Sequence, residues 1–152
     1  MRDTPVSQIM NREVLTFHVG DRLEDAIRSL VEWNVGGAPV VDDDGRLVGV
    51  LEDDDIIVAD ARLHMPTVIN ILGASIELPG QHKHFEDDLK KALASTVADV
   101  MDDDPPTCTE DDTVEQVATV MHERDVQRVP VVRDGKVVGI VGRGDVLRSM
   151  IS

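Results

Sequence analysis

Two short segments carry the side chains best suited to ligand chemistry. In Gly139-Ile140-Val141-Gly142-Arg143-Gly144-Asp145 an apolar run gives way to two glycines around an arginine. The glycines leave backbone N–H groups open at the start of an expected helix, and Arg143 adds a cation, a combination suited to an anion. In Gly49-Val50-Leu51-Glu52-Asp53-Asp54-Asp55 the corresponding place holds four consecutive carboxylates. Carboxylates at a helix N-terminus suit the helix dipole but repel a phosphate. Arg128, in the loop ahead of the Pro130 strand, is a further candidate cation.

Other constellations are weaker. Asp42-Asp43-Asp44, Asp53-Asp54-Asp55 and Asp102-Asp103-Asp104 invite a divalent cation, since hard cations take clustered carboxylates. None has EF-hand spacing, and consecutive residues seldom converge on one ion, so turns, helix starts and an acidic surface explain them and no metal is expected. His82 and His84 flank Lys83, with His64 upstream; they read as solvated loop histidines rather than ligands. Cys108 falls where a short strand needs apolar residues and is expected in the core. No Ser/His/Asp order, Walker A loop or GxGxxG motif occurs, and no nucleophile–base pair supports an enzyme.

Composition narrows the field. The 152 residues carry 15 Lys+Arg against 30 Asp+Glu, a formal net charge of −15. Nucleic acids and anionic membranes bind through Lys/Arg neutralisation, so neither is expected as a partner. Phe17, Phe85 and Trp33 are the only aromatics, too few for base-stacking platforms. The single cysteine excludes a disulfide framework. The start Met1-Arg2-Asp3-Thr4-Pro5 has no apolar signal core, and no run approaches membrane-span length, so a cytoplasmic protein is expected. The hydrophobic fraction of 41% suffices for a core of Val, Ile, Leu, Ala and Met.

The elements that must position these segments come in two copies. Residues 6–41 align with 97–132: Val6 with Val97, Met10 with Met101, Asp21 with Asp112, Val35 with Val126, and Pro39-Val40-Val41 with Pro130-Val131-Val132. After one deletion in a turn, Gly45 meets Gly135, Val48-Gly49 meets Val138-Gly139, and Asp55 meets Asp145. Asp21-Arg22-Leu23-Glu24 and Asp112-Thr113-Val114-Glu115 read as capping boxes with Asp at the N-cap. Leu23, Ala26, Ile27, Leu30 and Val31 form one helical stripe; Val114, Val117, Ala118 and Met121 form the other. Hairpins follow, Ala38–Val41 with Leu47–Leu51 and Val129–Val132 with Val137–Val141, around Asp-Gly turns. Closing helices are expected near 53–60 and 143–151, and short extended pieces at Leu15–Phe17 and Thr107–Cys108. The organisation is thus a β-α-β-β-α unit over 1–58, an ordered insert over 59–96, and a second unit over 97–152. The insert contains a candidate strand at Ser75–Leu78 and a helix at Phe85–Ala94. One unit alone is marginal in size, so two would pack through their sheets.

The repeated pattern resembles the CBS domain, and the chain resembles a stand-alone tandem pair of them, a Bateman module. The resemblance rests on Val35-Gly36-Gly37-Ala38-Pro39-Val40-Val41-Asp42 with Gly45-Arg46-Leu47-Val48-Gly49-Val50, and on Val126-Gln127-Arg128-Val129-Pro130-Val131-Val132 with Gly135-Lys136-Val137-Val138-Gly139-Ile140. It covers about 110 of the 152 residues. It implies a mixed α/β fold of two pseudo-symmetric units. It also implies a regulatory role, homodimerisation, and two clefts for adenosine-containing ligands such as AMP, ADP, ATP or S-adenosylmethionine. In the family pattern Gly-x-x-Ser/Thr-x-x-Asp, the Asp holds the ribose and the hydroxyl helps hold phosphate. Both copies keep the Asp, but Glu52 and Gly142 replace the Ser/Thr.

Two candidate sites result. The second cleft, favoured for a phosphorylated ligand, would use Pro106, Thr107, Val126, Arg128, Gly142, Arg143 and Asp145. The first would use Leu15, Thr16, Val35, Gly37 and Asp55, and its carboxylates suit adenosine or S-adenosylmethionine better. No cofactor beyond this regulatory ligand is expected. The output would be an unidentified partner protein. The alternative is a ligand-free dimeric scaffold that keeps only the fold, a reading that the Glu52 and Gly142 departures favour.

Overall fold

The computed structural model describes residues 3–59 and 95–151. The expected strand at 75–78, the helix at 85–94 and His64, His82 and His84 lie outside these residues. The first repeat runs from a 3-10 turn (Val6–Gln8) through α1 (Leu23–Trp33), β1 (Gly37–Val41) and β2 (Leu47–Glu52) into α2 (residues 53–59). The second repeats it as a 3-10 turn (Val97–Asp99), α3 (Val114–Arg124), β3 (Arg128–Arg133), β4 (Lys136–Gly142) and α4 (Arg143–Ser149). Each hairpin is antiparallel, and each gains a short parallel partner: Phe17 bridges Val40, and Cys108 bridges Val131.

The helix starts differ by one residue from the capping pattern in the sequence. The N-caps are Arg22 and Thr113. Asp21 and Asp112 instead close the preceding turns, accepting from the backbone N–H groups of His18 (2.9 Å) and Thr109 (2.8 Å). Thr113 then forms a reciprocal capping box with Gln116. Both helices end on non-glycine residues in the left-handed region, Asn34 (φ 53°) and Asp125 (φ 51°). Asn and Asp tolerate that conformation better than other side chains. In the second hairpin turn Asp134 (φ 54°) and Gly135 (φ 80°) both take positive φ, the geometry that matches the twist of paired strands. The first turn is one residue longer, and Asp42 stabilises it by accepting from the backbone N–H groups of Asp44 and Arg46, both at 2.9 Å.

The two units exchange their leading segments. Val6 N–H donates to Asp112 (2.7 Å), and Thr4 C=O accepts from Val114 N–H (2.9 Å) at the start of α3. Reciprocally, Val97 N–H donates to Asp21 (2.9 Å), and Ser95 C=O accepts from Leu23 N–H (2.8 Å) at the start of α1. Each leader thereby satisfies orphan donors of the other repeat's helix. The cores follow the same exchange. Val6 and Met10 are buried with Cys108, Val117, Met121, Val129, Val131 and Val141. Val97 is buried with Phe17, Leu23, Ala26, Leu30, Ala38, Val40 and Leu51. Cys108 is core as expected, and burial, followed by Asp112, pushes its thiol pKa up to about 12. The hairpin turns also meet: Leu47 N–H donates to Gly135 (3.0 Å) and Val137 N–H to Gly45 (3.1 Å).

The leaders cross the hairpins where glycine leaves room. A methyl group at Gly49 would stand 2.7 Å from the Asp102 carbonyl oxygen and from the Met101 sulfur. At Gly139 the nearest atoms are the Met10 sulfur (2.8 Å) and the Asn11 carbonyl (3.1 Å). A thioether can turn aside, and both carbonyls are held in backbone bridges, but the Asp102 carbonyl stands closer to the added methyl group (2.7 Å) than the Asn11 carbonyl does (3.1 Å). Gly49→Ala is therefore expected to cost about 2 kcal/mol and Gly139→Ala less than about 1 kcal/mol, as read from urea unfolding.

Candidate functional site

The two departures from the Ser/Thr pattern turn out to be structurally linked. At the open end of each hairpin the register pairs Gly37 with Glu52 and Arg128 with Gly142. The repeat relation matches Gly37 to Arg128 and Glu52 to Gly142, so each sheet end holds one glycine and one charged residue. The two charges meet across the seam: Arg128 Nη1 donates to Glu52 Oε2. Their side chains are only 14% and 16% exposed. Gly36 and Gly37 form the bed for the guanidinium, since a methyl group on either would collide with Arg128. Burial lowers the Arg128 pKa from its ordinary value, because the charged form is desolvated.

Beside this pair lies a cleft of about 240 Å³ built from both repeats. Glu52, Asp54 and Asp55 come from the end of β2 and the start of α2. Asp102 comes from the second leader, and Arg124, Asp125, Val126 and Gln127 from the end of α3 and the loop after it. Five carboxylates face one guanidinium there. Arg124 Nη2 is turned to the Asp104 carbonyl (3.0 Å), and Gln127 Nε2 donates to Asp54 (3.4 Å). The Asp55 carboxylate has no hydrogen-bond or ion-pair partner among the described residues. Its pKa is raised, first by burial and then by Asp102, Asp54 and Asp53.

Asp145, the repeat counterpart of Asp55, is fully engaged. One oxygen accepts from Gly142 N–H (2.8 Å) and the other from Arg148 Nη2 (2.5 Å). The position matching Arg148 in the first repeat is Val58, so Asp55 lacks this clamp.

The remaining sequence candidates divide among three places. Val126, grouped in the sequence reading with Asp145, lines the cleft with Asp55. Arg143 leans on the loop after α3, its Nε donating to Val126 C=O (3.4 Å) and its Nη2 lying 3.7 Å from Asp125. It borders an outer groove with Ala118, Met121, His122, Val146 and Leu147. Val35 borders the matching outer groove with Ile27, Leu30, Val31, Ile56 and Ile57. Leu15 packs on the first core, Gly37 is buried under Arg128, Pro106 is half-buried, and Thr16 and Thr107 are exposed. The sequence reading did not assign Asp102, Arg124, Asp125 or Gln127 to a cleft. They reach it through the exchanged leader and the α3 end, and no local pattern announces either. The other acidic runs serve loops: Asp102 accepts from Asp104 N–H at 3.0 Å, as Asp42 does in its turn.

Asp55 carries a pH signature. A carboxyl whose folded pKa is raised binds more protons folded than unfolded, so its contribution to stability falls as pH rises from the ordinary carboxylate value through the raised one. Asp55→Asn is therefore expected to raise the unfolding midpoint of the ligand-free protein at pH 7. The gain should vanish below the ordinary carboxylate pKa, where Asp55 is protonated in both states. Thermal unfolding of both proteins across that range checks it.

The sequence model of the CBS domain matches residues 6–62 and 97–152. An uncharacterized protein of Methanocaldococcus jannaschii is 31% identical over 153 residues, a match covering 96% of this chain and 90% of that one. The chloroplastic CBS domain-containing protein CBSX2 of Arabidopsis thaliana is 33% identical over 134 residues, which cover 85% of this chain and 55% of the plant protein. Among solved structures, CBSX2 in complex with AMP superposes with a TM-score of 0.73 at 28% identity, over 97% of this chain and 96% of that one. The CBS domain pair of protein MJ0100, in complex with 5′-methylthioadenosine and S-adenosyl-L-methionine, gives 0.70 at 26% identity, over 97% and 95%.

Proposed function

This chain belongs to the CBS domain family, and from that premise we propose that it is a non-catalytic regulatory module that senses an adenosine-containing ligand and signals to a partner protein. AMP, 5′-methylthioadenosine and S-adenosylmethionine, bound by the similar structures, share the adenine base and a ribose with 2′- and 3′-hydroxyls. The observation that carries the reading is the seam cleft with Asp55, whose carboxylate has no partner among the described residues. A ribose offers two hydroxyl donors, and the two oxygens of a carboxylate can accept both. Val126 supplies apolar surface for the base. The volume of about 240 Å³ is small beside the ~300–1,000 Å³ usual for ligand pockets and suits a nucleoside-sized group. Its carboxylates favour a neutral or cationic adenosine compound, S-adenosylmethionine included. At the second cleft, a phosphorylated ligand would have Arg143 as its cation and would compete with Arg148 for Asp145.

Helical faces beside the outer grooves expose Val31 (74%), Ile57 (63%) and Leu147 (63%). Apolar patches of this kind mark interfaces, and a homodimer that covers them is part of the proposal. Light scattering should then give twice the 16.7 kDa chain mass. Among the described residues no helix is long and apolar enough to cross a membrane.

Calorimetry with adenosine, AMP, ATP and S-adenosylmethionine tests the sensing role, and a ligand specific for the folded state also raises the unfolding midpoint. Binding of none of the four would leave the dimeric scaffold as the better reading.

A further inference from the structure

We propose that Glu52 is a built-in anion that sets the ligand charge this protein accepts: it holds Arg128 and thereby keeps the seam cleft closed to phosphate. The inference rests on the adenosine reading of that cleft. Glu52 is one of the residues lining the cleft, whereas Arg128 is not; its guanidinium lies over Gly36 and Gly37 and is paired with the Glu52 carboxylate. Arg128 is the most buried guanidinium in any ion pair among the described residues. A phosphate entering the cleft meets Glu52, Asp54, Asp55, Asp102 and Asp125 before it meets that cation. The cation is already paired, with Nη1 donating to a carboxylate.

Glu52 reaches Arg128 over Gly37, the place that matches Arg128 in the other repeat: a methyl group there would collide with both the Arg128 guanidinium and the Glu52 carboxylate. Three positions around the seam therefore act together: Glu52 and Arg128 supply the charges and Gly37 supplies the room. A hydroxyl at position 52 would remove the carboxylate that Arg128 Nη1 donates to, and leave the guanidinium beside the cleft with only Asp53 near Gly36 as a neighbouring anion. A carboxylate there reverses the selectivity, from anionic adenosine ligands towards neutral or cationic ones.

The experiment is calorimetry with adenosine and with AMP on the wild-type protein, on Glu52→Gln, and on Glu52→Gln/Arg128→Gln. Adenosine reports the cleft itself, and the AMP-to-adenosine affinity ratio reports the charge at its wall. Glu52→Gln removes a negative charge and releases Arg128, so the ratio should rise about tenfold or more over wild type. The double variant restores the wild-type net charge, so its ratio should stay within about threefold of wild type. Glu52→Thr, which shortens the side chain, gives the same readout where the glutamine variant does not fold. An unchanged ratio in a variant that still binds adenosine overturns the role of Glu52 and leaves the adenosine reading standing. Failure of all the proteins to bind either compound overturns the adenosine reading and this inference with it.

Discussion

Arg128→Ala is expected to lower the unfolding free energy by about 3–5 kcal/mol, the range for breaking a buried ion pair from one side. The reason is the partner left behind. Glu52 is 16% exposed and already sits among the carboxylates of the seam, so without the guanidinium it is a desolvated charge among like charges. Glu52→Ala strands Arg128 over Gly36 and Gly37 and is expected to cost nearly as much, eased by Asp53, whose carboxylate also borders Gly36. The double variant Glu52→Ala/Arg128→Ala should recover much of the loss, because an absent pair leaves no orphaned charge. Urea unfolding of the three variants measures the coupling. Additive losses in the double variant would show that the pair does not bind the two repeats together.

The second large effect follows from the exchanged leaders. Val6 and Val97 are fully buried, each in the core of the other repeat. Truncating either to alanine removes apolar contacts and leaves a cavity, a loss of about 2–3 kcal/mol. The location of the damage is the sharper expectation. Val6→Ala should weaken amide protection first around Cys108, Val117 and Val131, and Val97→Ala around Phe17, Ala26 and Val40. Native-state hydrogen exchange resolves the two patterns. Loss confined to the mutated residue's own repeat would contradict the exchange.

What the sequence disclosed and what it hid divide along the range of the interactions. The helical stripes from Leu23 and Val114, the two hairpins and the Asp134-Gly135 turn are written in local periodicity and turn chemistry, and they appear within one or two residues of expectation. The N-caps moved one residue because Asp21 and Asp112 are strong acceptors for the preceding turn as well as for a helix. Repeat alignment put Val126 in the same unit as Asp145, and the fold sets it opposite Asp55 instead. That crossing depends on how the sheets pack, which residue spacing does not encode. Arg128 and Glu52 lie 76 residues apart; the sequence marks one as a candidate cation and the other as a departure from the family pattern, and nothing in it joins them. Arg148 was invisible as a clamp on Asp145, because an i,i+3 pair on an exposed helix end resembles any surface arginine.

The claim at the centre of this account, that an adenosine ligand bridges the two repeats on Asp55, is tested most directly by titrating adenosine into Asp55→Ala and Asp145→Ala. Loss of two hydrogen bonds to a charged acceptor, at roughly 1.5–3 kcal/mol each, predicts at least a tenfold weaker affinity for Asp55→Ala. Asp145→Ala, whose carboxylate is already held by Gly142 and Arg148, should bind within about threefold of wild type, less than 1 kcal/mol. Undiminished binding by Asp55→Ala would contradict the assignment.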